Sequence, residues 1–141
     1  MLRIMTVEDN LPFRKVFKGE LLSQFPSIEI TEAANGEEAF QRLSSGAIDL
    51  AFMDIGLPGE SGLKLTRKIK AKYKDVTIAM LTSYDLAEYG EAAARCGADC
   101  FITKKSMKWD QIFTMVKCFE RAKDSIGLKP SCVRLAGEGS A

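Results

Sequence analysis

Five polar residues each close an apolar run in this chain, and their types complement one another. Glu8 and Asp9 follow Leu2–Val7, Asp54 follows Leu50–Met53, Thr82 follows Val76–Leu81, and Lys104 follows Cys100–Thr103. If the three acids converge, they cannot all remain ionised unaided, because like charges raise one another's pKa. A hard divalent cation is the simplest compensator, and oxygen-only ligands completed by water suit Mg²⁺. Three carboxylates against Mg²⁺ and Lys104 leave such a site nearly neutral and receptive to an anion such as a phosphoryl group. An acid at a strand end also serves as a helix N-cap, a threonine there as plain strand, and a lysine as solvated loop. No one of the five is therefore diagnostic; five complementary types at one kind of address are.

Composition narrows the chemistry further. The 141 residues contain no histidine, so the chain has no imidazole to act as zinc ligand, general base or phosphoryl carrier. Ser-His-Asp and Cys-His catalysis are excluded with it. Twenty Lys+Arg balance nineteen Asp+Glu, a net charge of +1 that argues against a strong non-specific grip on nucleic acid or an acidic membrane. Apolar residues at 46% and charged residues at 28% fit one globular domain. The four cysteines (96, 100, 118 and 132) read as reduced thiols of a cytoplasmic domain, since the chain is neither short nor loop-rich enough to need disulfides. The N-terminus lacks the long apolar region of a secretory signal, and no apolar run approaches a membrane span.

The elements that must position the five residues can be read in order. Leu2–Val7 is a buried strand, and a helix is expected over Leu11–Gln24 with Phe13, Val16, Phe17, Glu20 and Leu21 along its stripe. Pro12 suits a first helical turn and Pro26 stops the helix. Ile28–Ala33 is the second strand. Asn35 with Glu38 forms a capping box for a helix carrying Ala39, Phe40 and Leu43 and ending near Gly46. After the strand Leu50–Met53, a polar helix from Ser61 to Lys74 shows Leu65, Ile69 and Tyr73 at helical spacing. Val76–Leu81 is the fourth strand. Asp85 with Glu88 resembles a second cap, for a helix to about Cys96 that contains Gly90 and closes at Gly97. Cys100–Thr103 is the last strand, and Ser106 is expected to cap a helix to Lys123 with Ile112, Phe113, Val116 and Phe119 facing inward.

Continuous apolar strands alternating with amphipathic helices predict an α/β fold: a doubly wound, five-stranded parallel sheet with five helices. In the order 2-1-3-4-5 the first and third strands are neighbours where the winding reverses, and ligands bind there at the carboxyl ends of the strands. Glu8, Asp9 and Asp54 would meet at that point, with Thr82 and Lys104 to one side. Residues 1–124 form the expected domain and 125–141 a tail or linker remnant containing Pro130.

At these residues the sequence resembles the receiver domains of two-component response regulators, which share the flavodoxin-like fold. The most specific string is Met53-Asp54-Ile55-Gly56-Leu57-Pro58-Gly59, followed by Gly62-Leu63. Val7-Glu8-Asp9-Asn10 resembles the family's acidic pair, Leu81-Thr82-Ser83 its hydroxyl position, and Gly97 to Lys104 its lysine position. The resemblance implies a phosphoaccepting switch rather than an enzyme with an external substrate. Asp54 would take a phosphoryl group from the phosphohistidine of a histidine kinase or phosphotransfer protein. Asp9, Asp54 and the Gly56 carbonyl would hold Mg²⁺, with Glu8 acting directly or through water. Thr82 and Lys104 would bind phosphoryl oxygens, and Phe101 matches the aromatic that swings inward once Thr82 engages. The implied output is a change in the face made by the fourth helix, fifth strand and fifth helix, offered to a downstream protein or a second copy.

Two departures bear on that resemblance. Lys105 stands where many relatives carry proline, so the cis peptide often found there is not expected. Gly56 and Tyr84, each two residues past a key position, would govern water access to an acyl phosphate, with Tyr84 shielding it. The small residues Gly90 and Ala92–Ala94 suggest a fourth helix that shifts cheaply, or one that packs close to the sheet. Met107, Trp109 and Met115 fit either partial core or a partner contact. The fifteen or so residues after the last helix are too few for a helix-turn-helix, so direct DNA binding is not expected.

Rival chemistries fit less well. A flavin or nucleotide site would need glycine- or hydroxyl-rich backbone after the first strand, where Glu8-Asp9-Asn10-Leu11-Pro12 offers acids. An aspartyl-phosphate hydrolase usually wants a second acid at the position of Gly56. A receiver used purely as an interaction module would accept no phosphoryl group at all.

Overall fold

The apolar runs and amphipathic segments of the chain build five β-α units. In the computed structural model, residues 1–124 are described; the expected tail, with Cys132, lies outside them. The order is β1 (Arg3–Val7), α1 (Leu11–Gln24), β2 (Glu29–Ala33), α2 (Gly36–Ser45), β3 (Leu50–Met53), α3 (Gly62–Lys72), β4 (Thr77–Thr82), α4 (Ala87–Arg95), β5 (Cys100–Thr103) and α5 (Trp109–Asp124). The strands pair in the order β2-β1-β3-β4-β5, and every pairing is parallel. The topology is the one read from the sequence.

Strand alternation sorts the core into two layers, because successive side chains point to opposite faces. Ile4, Leu50, Phe52, Ala79, Leu81 and Ile102 face Phe17 and Leu21 of α1 and Ile112, Met115, Val116 and Phe119 of α5. Met5, Val7, Ala51, Met53, Ile78 and Met80 face Ala39 and Leu43 of α2, Leu65 and Ile69 of α3, and Ala93 of α4. Full burial of a side chain such as Phe17 or Leu21 contributes about 1.5–3 kcal/mol, and both are essentially inaccessible. These contacts hold the strands so that their carboxyl ends lie along one edge.

Caps set where the helices begin. Asn10 accepts the Phe13 N–H, Asn35 accepts the Glu38 N–H, and Ser61 accepts the Lys64 N–H. Glu38 returns a bond to the Ala34 N–H at 2.8 Å, completing the expected capping box one residue early. Gly97, at φ +102°, ends α4 in a conformation that side chains with a Cβ rarely adopt.

Four local expectations are corrected. Val16 and Glu20 are exposed, so the buried stripe of α1 is the narrower Phe13-Phe17-Leu21 line. Leu86 rather than Asp85 occupies the N-cap of α4, and no side chain caps that helix. Ser106 caps nothing; it bonds Thr103 in a turn, and α5 starts at Trp109 because Lys104–Ser106 are needed for that turn. The fourth strand is shifted by one residue, so Thr82 is its last member rather than a residue beyond it. Cys96 and Cys118 are free thiols. Among the described residues, no helix is long and apolar enough to cross a membrane.

Candidate functional site

The parallel ladder continues one step past three strand ends and carries the site residues with it. Glu8 N–H donates to the Ala33 carbonyl at 2.9 Å, Asp54 N–H to Val7 at 3.0 Å, and Lys104 N–H to Thr82 at 2.8 Å. Extending the alternation puts Glu8, Asp54 and Lys104 on the α1/α5 side, after Ile4, Phe52 and Ile102 respectively. That is how three residues far apart in sequence share one corner of the sheet.

One carboxylate oxygen from each of Glu8, Asp9 and Asp54 lies within 4.8 Å of the others. Glu8 and Asp54 are buried, at 5% and 7% exposure, while Asp9 is open to solvent. Lys104 Nζ sits 2.8 Å from Glu8 Oε1 and 3.9 Å from Asp54 Oδ2. The Glu8 carboxylate also accepts the Asn10 N–H at 3.0 Å, and the Glu8 carbonyl accepts from Arg14 at 2.7 Å. Arg14 in turn donates to Glu32, which also pairs with Lys18. The first turn of α1 thereby clamps the acidic loop. Burial raises the pKa of Glu8 above the usual carboxylate range, assisted by the Asp54 charge and opposed by Lys104 and the Asn10 N–H.

The cluster suits a hard cation on two counts. Its donors are all oxygens, and Asp54 Oδ1 is buried without a hydrogen-bond partner. An unpaired buried carboxylate oxygen is costly unless a cation or donor reaches it. Glu8, Asp9 and Asp54 are therefore able to hold a metal ion of the Mg²⁺ type.

The other expected residues are distributed around this corner. Thr82 is fully buried at the end of β4, and its hydroxyl accepts the Tyr84 N–H at 3.3 Å rather than bonding the acids. Tyr84 is 40% exposed and lies over Gly56: a Cβ on Gly56 would come within 2.9 Å of the tyrosine ring and hydroxyl. Tyr84 also packs edge-on against Tyr89, with centroids 5.0 Å apart. Phe101 is half-buried, and its ring packs beside Gly90, where a Cβ would come within 3.3 Å of it. Ala93 is the only residue that α4 buries fully. Trp109 lies on the Phe17 ring at 5.6 Å, Met115 is core, and Met107 is partly covered, so these residues belong mainly to the interior. The peptide between Lys104 and Lys105 is trans.

Two contributors had no sequence signal beyond their helical spacing. Arg14 holds the Glu8 backbone, and Phe13 places its ring 4.2 Å from Lys104 Nζ. Both follow from the Asn10 cap, which turns the start of α1 toward the end of β1.

A parallel sheet covered by helices on both faces, with three acids and one lysine at one corner, is the arrangement expected of the receiver-type signalling domains. The response regulator receiver domain model matches residues 4–117, and the chain belongs to that family. A cyclic di-GMP phosphodiesterase of Thermotoga maritima is 36% identical over 101 residues, covering 72% of this chain and 26% of that protein. The oxygen regulatory protein NreC of Staphylococcus carnosus is 33% identical over 129 residues, covering 91% of this chain and 59% of that protein. The chain thus spans about a quarter and about three-fifths of these two relatives. Among solved structures, the response regulator TrrA of Thermotoga maritima, in complex with Mg²⁺ and BeF, is 38% identical with a TM-score of 0.72, covering 84% of this chain and 98% of that one. A receiver domain from Colwellia psychrerythraea reaches a TM-score of 0.80 at 19% identity, over 86% of this chain and 99% of that one, a likeness of fold. The chain is a response regulator receiver domain of the two-component type.

Proposed function

We propose that Asp54 is the phosphoacceptor of a two-component relay, and that residues 1–124 are the receiver unit with 125–141 a tail or linker remnant. The observation that carries this reading is the surroundings of Asp54. It is a buried carboxylate with one oxygen unpartnered and the other 3.9 Å from Lys104, beside two further acids.

In the proposed reaction an Asp54 oxygen attacks the phosphorus of a phosphohistidine on a partner kinase or phosphotransfer protein. An O–P bond forms, the N–P bond breaks, and the imidazole nitrogen keeps the electron pair. Such transfers depend on positioning and charge stabilisation rather than on acid–base groups of the acceptor, which suits a chain without histidine. Glu8, Asp9, Asp54 and the Gly56 carbonyl would hold Mg²⁺, whose charge, when bound, offsets that of the transferred group. Lys104 takes phosphoryl oxygen on the other side. The Thr82 hydroxyl, bonded only through its oxygen to Tyr84 N–H, has its proton to offer a phosphoryl oxygen, and Phe101 follows it inward.

The resulting change in charge and hydrogen bonding would be read on the α4-β5-α5 face, by a downstream protein or by a second copy of the chain. α4 fits that role because little holds it down: one fully buried side chain and no side-chain cap. In this role the chain is a cytoplasmic switch that catalyses its own modification and no reaction of an external substrate. A relative crystallised with Mg²⁺ and BeF supports the same reading.

Incubation with a small acyl-phosphate donor and Mg²⁺, followed by intact mass, tests it. A phosphoryl adduct in the wild type that is lost in Asp54→Ala is expected. No adduct under any condition would leave an inert interaction module.

A further inference from the structure

Lys104 rests on an aromatic ring as well as on an acid. Its Nζ lies 4.2 Å from the centroid of Phe13, while 2.8 Å from Glu8 Oε1 and 3.9 Å from Asp54 Oδ2. The ring is fixed from behind. Phe13 stacks on Phe17 at 5.8 Å, and Phe17 is wedged between Phe52 at 4.9 Å and Trp109 at 5.6 Å. Its backbone is fixed too, because the Phe13 N–H is the one capped by Asn10 at 3.0 Å. Phe13 therefore presents its face to the mouth of the acid cluster without relying on Lys104 to hold it there.

We propose that Phe13 is a positioning residue for Lys104: its ring keeps the ammonium at the acid cluster while the ammonium moves from Glu8 to the phosphoryl oxygens on Asp54. The inference rests on the function proposed above and adds a residue to it. Lysine is a compact charge on a flexible four-carbon stem, and Lys104 is still 20% exposed, so water competes for it. The Glu8 hydrogen bond is directional and is lost when the ammonium turns away. Attraction to a ring face acts anywhere within about 6 Å of the centroid. A swing between the two carboxylates, both within 4 Å of Nζ, therefore keeps the ring contact, whereas escape to solvent forfeits it. Phe13 favours the site over water without favouring either acid.

The test uses the whole chain with Mg²⁺ and beryllofluoride as the phosphoryl stand-in. Phe13→Leu keeps an apolar side chain but removes the ring; Phe13→Tyr restores a ring face. Beryllofluoride affinity is expected to fall roughly three- to tenfold in Phe13→Leu, to recover in Phe13→Tyr, and to decline stepwise as fluorinated phenylalanines are placed at residue 13. In the free protein, the Lys104 side-chain NMR signals are expected to show a ring-current shift that vanishes only in Phe13→Leu. Wild-type binding with equal affinity in Phe13→Leu would overturn the role of Phe13 and leave the proposed function standing. No Mg²⁺-dependent binding by the wild type would overturn both. Loss of affinity without rescue by Phe13→Tyr and without a ring-current shift would mark Phe13 as packing alone, against the inference.

Discussion

Lys104 bonds to Glu8 rather than to Asp54, at 2.8 Å against 3.9 Å. The lysine thus neutralises the other buried acid and leaves one oxygen of Asp54 without a partner. This arrangement stores a simple exchange. A phosphoryl group on Asp54 would compete with Glu8 for the same ammonium, and Glu8 would then need a cation in its place.

Glu8 gives the metal-free protein a distinctive pH dependence. Burial raises its folded pKa above the ordinary value of 4.5. A raised folded value means that its contribution is fully favourable below the unfolded pKa and is lost as pH rises through the folded one. Denaturant melts in EDTA are expected to show this fall in the wild type on the alkaline side of pH 4.5, and a correspondingly smaller fall in Glu8→Gln. Identical slopes for the two proteins would contradict the burial assigned to Glu8.

Mutual repulsion among three acids makes the corner unfavourable when no cation is bound. Asp9→Asn is expected to raise the melting temperature in EDTA. Mg²⁺ is expected to stabilise the wild type by about 2.7 kcal/mol at a hundredfold excess over its Kd, and to leave Asp54→Asn nearly unmoved. Equal stabilisation of both proteins by Mg²⁺ would place the ion elsewhere.

Two glycines should respond in opposite directions. A Cβ on Gly62 would overlap the Asp54 carbonyl, and the Gly62 N–H ties the same turn to Ile55 at 2.8 Å. Gly62→Ala is expected to lower stability by about 2 kcal/mol or more. Gly19 has open space around its would-be Cβ within α1, so Gly19→Ala is expected to raise stability by about 0.5–1 kcal/mol. Urea denaturation of the pair checks both signs.

Tyr84 covers the loop beside Asp54 through its contact with Gly56. Removing it is expected to admit water and shorten the lifetime of the phosphorylated state severalfold. Dephosphorylation of Tyr84→Ala, followed after removal of the donor, reads this directly. An unchanged or slower rate would rule out shielding.

The elements were legible where local chemistry decides them. Asn35 with Glu38, and Gly97 at the end of α4, announce their roles through backbone needs that few residues meet. Unbroken apolar runs marked a parallel sheet wound on both faces. The order 2-1-3-4-5, and with it the convergence of Glu8, Asp9 and Asp54, came from the usual winding of such folds and not from any local pattern. Failures came where tertiary packing chooses between local options. Val16 and Glu20 fit a helical stripe, but α1 lies against the sheet and Trp109 along the Phe13-Phe17-Leu21 line. Asp85 and Ser106 are good caps by type, yet the loops after β4 and β5 turn on Tyr84 and Thr103 instead. Which acid takes Lys104, and that Phe13 lies beside it, depends on the three-dimensional placement of residues from separate strands and α1. No local pattern encodes that placement.

Borohydride reduction of the phosphorylated chain, followed by peptide sequencing in the mass spectrometer, locates the acyl phosphate most directly. If Asp54 is the acceptor, the reduced residue is found at position 54 alone and only when Mg²⁺ was present. Reduction at Glu8 or Asp9, or at no residue of this corner, would contradict it.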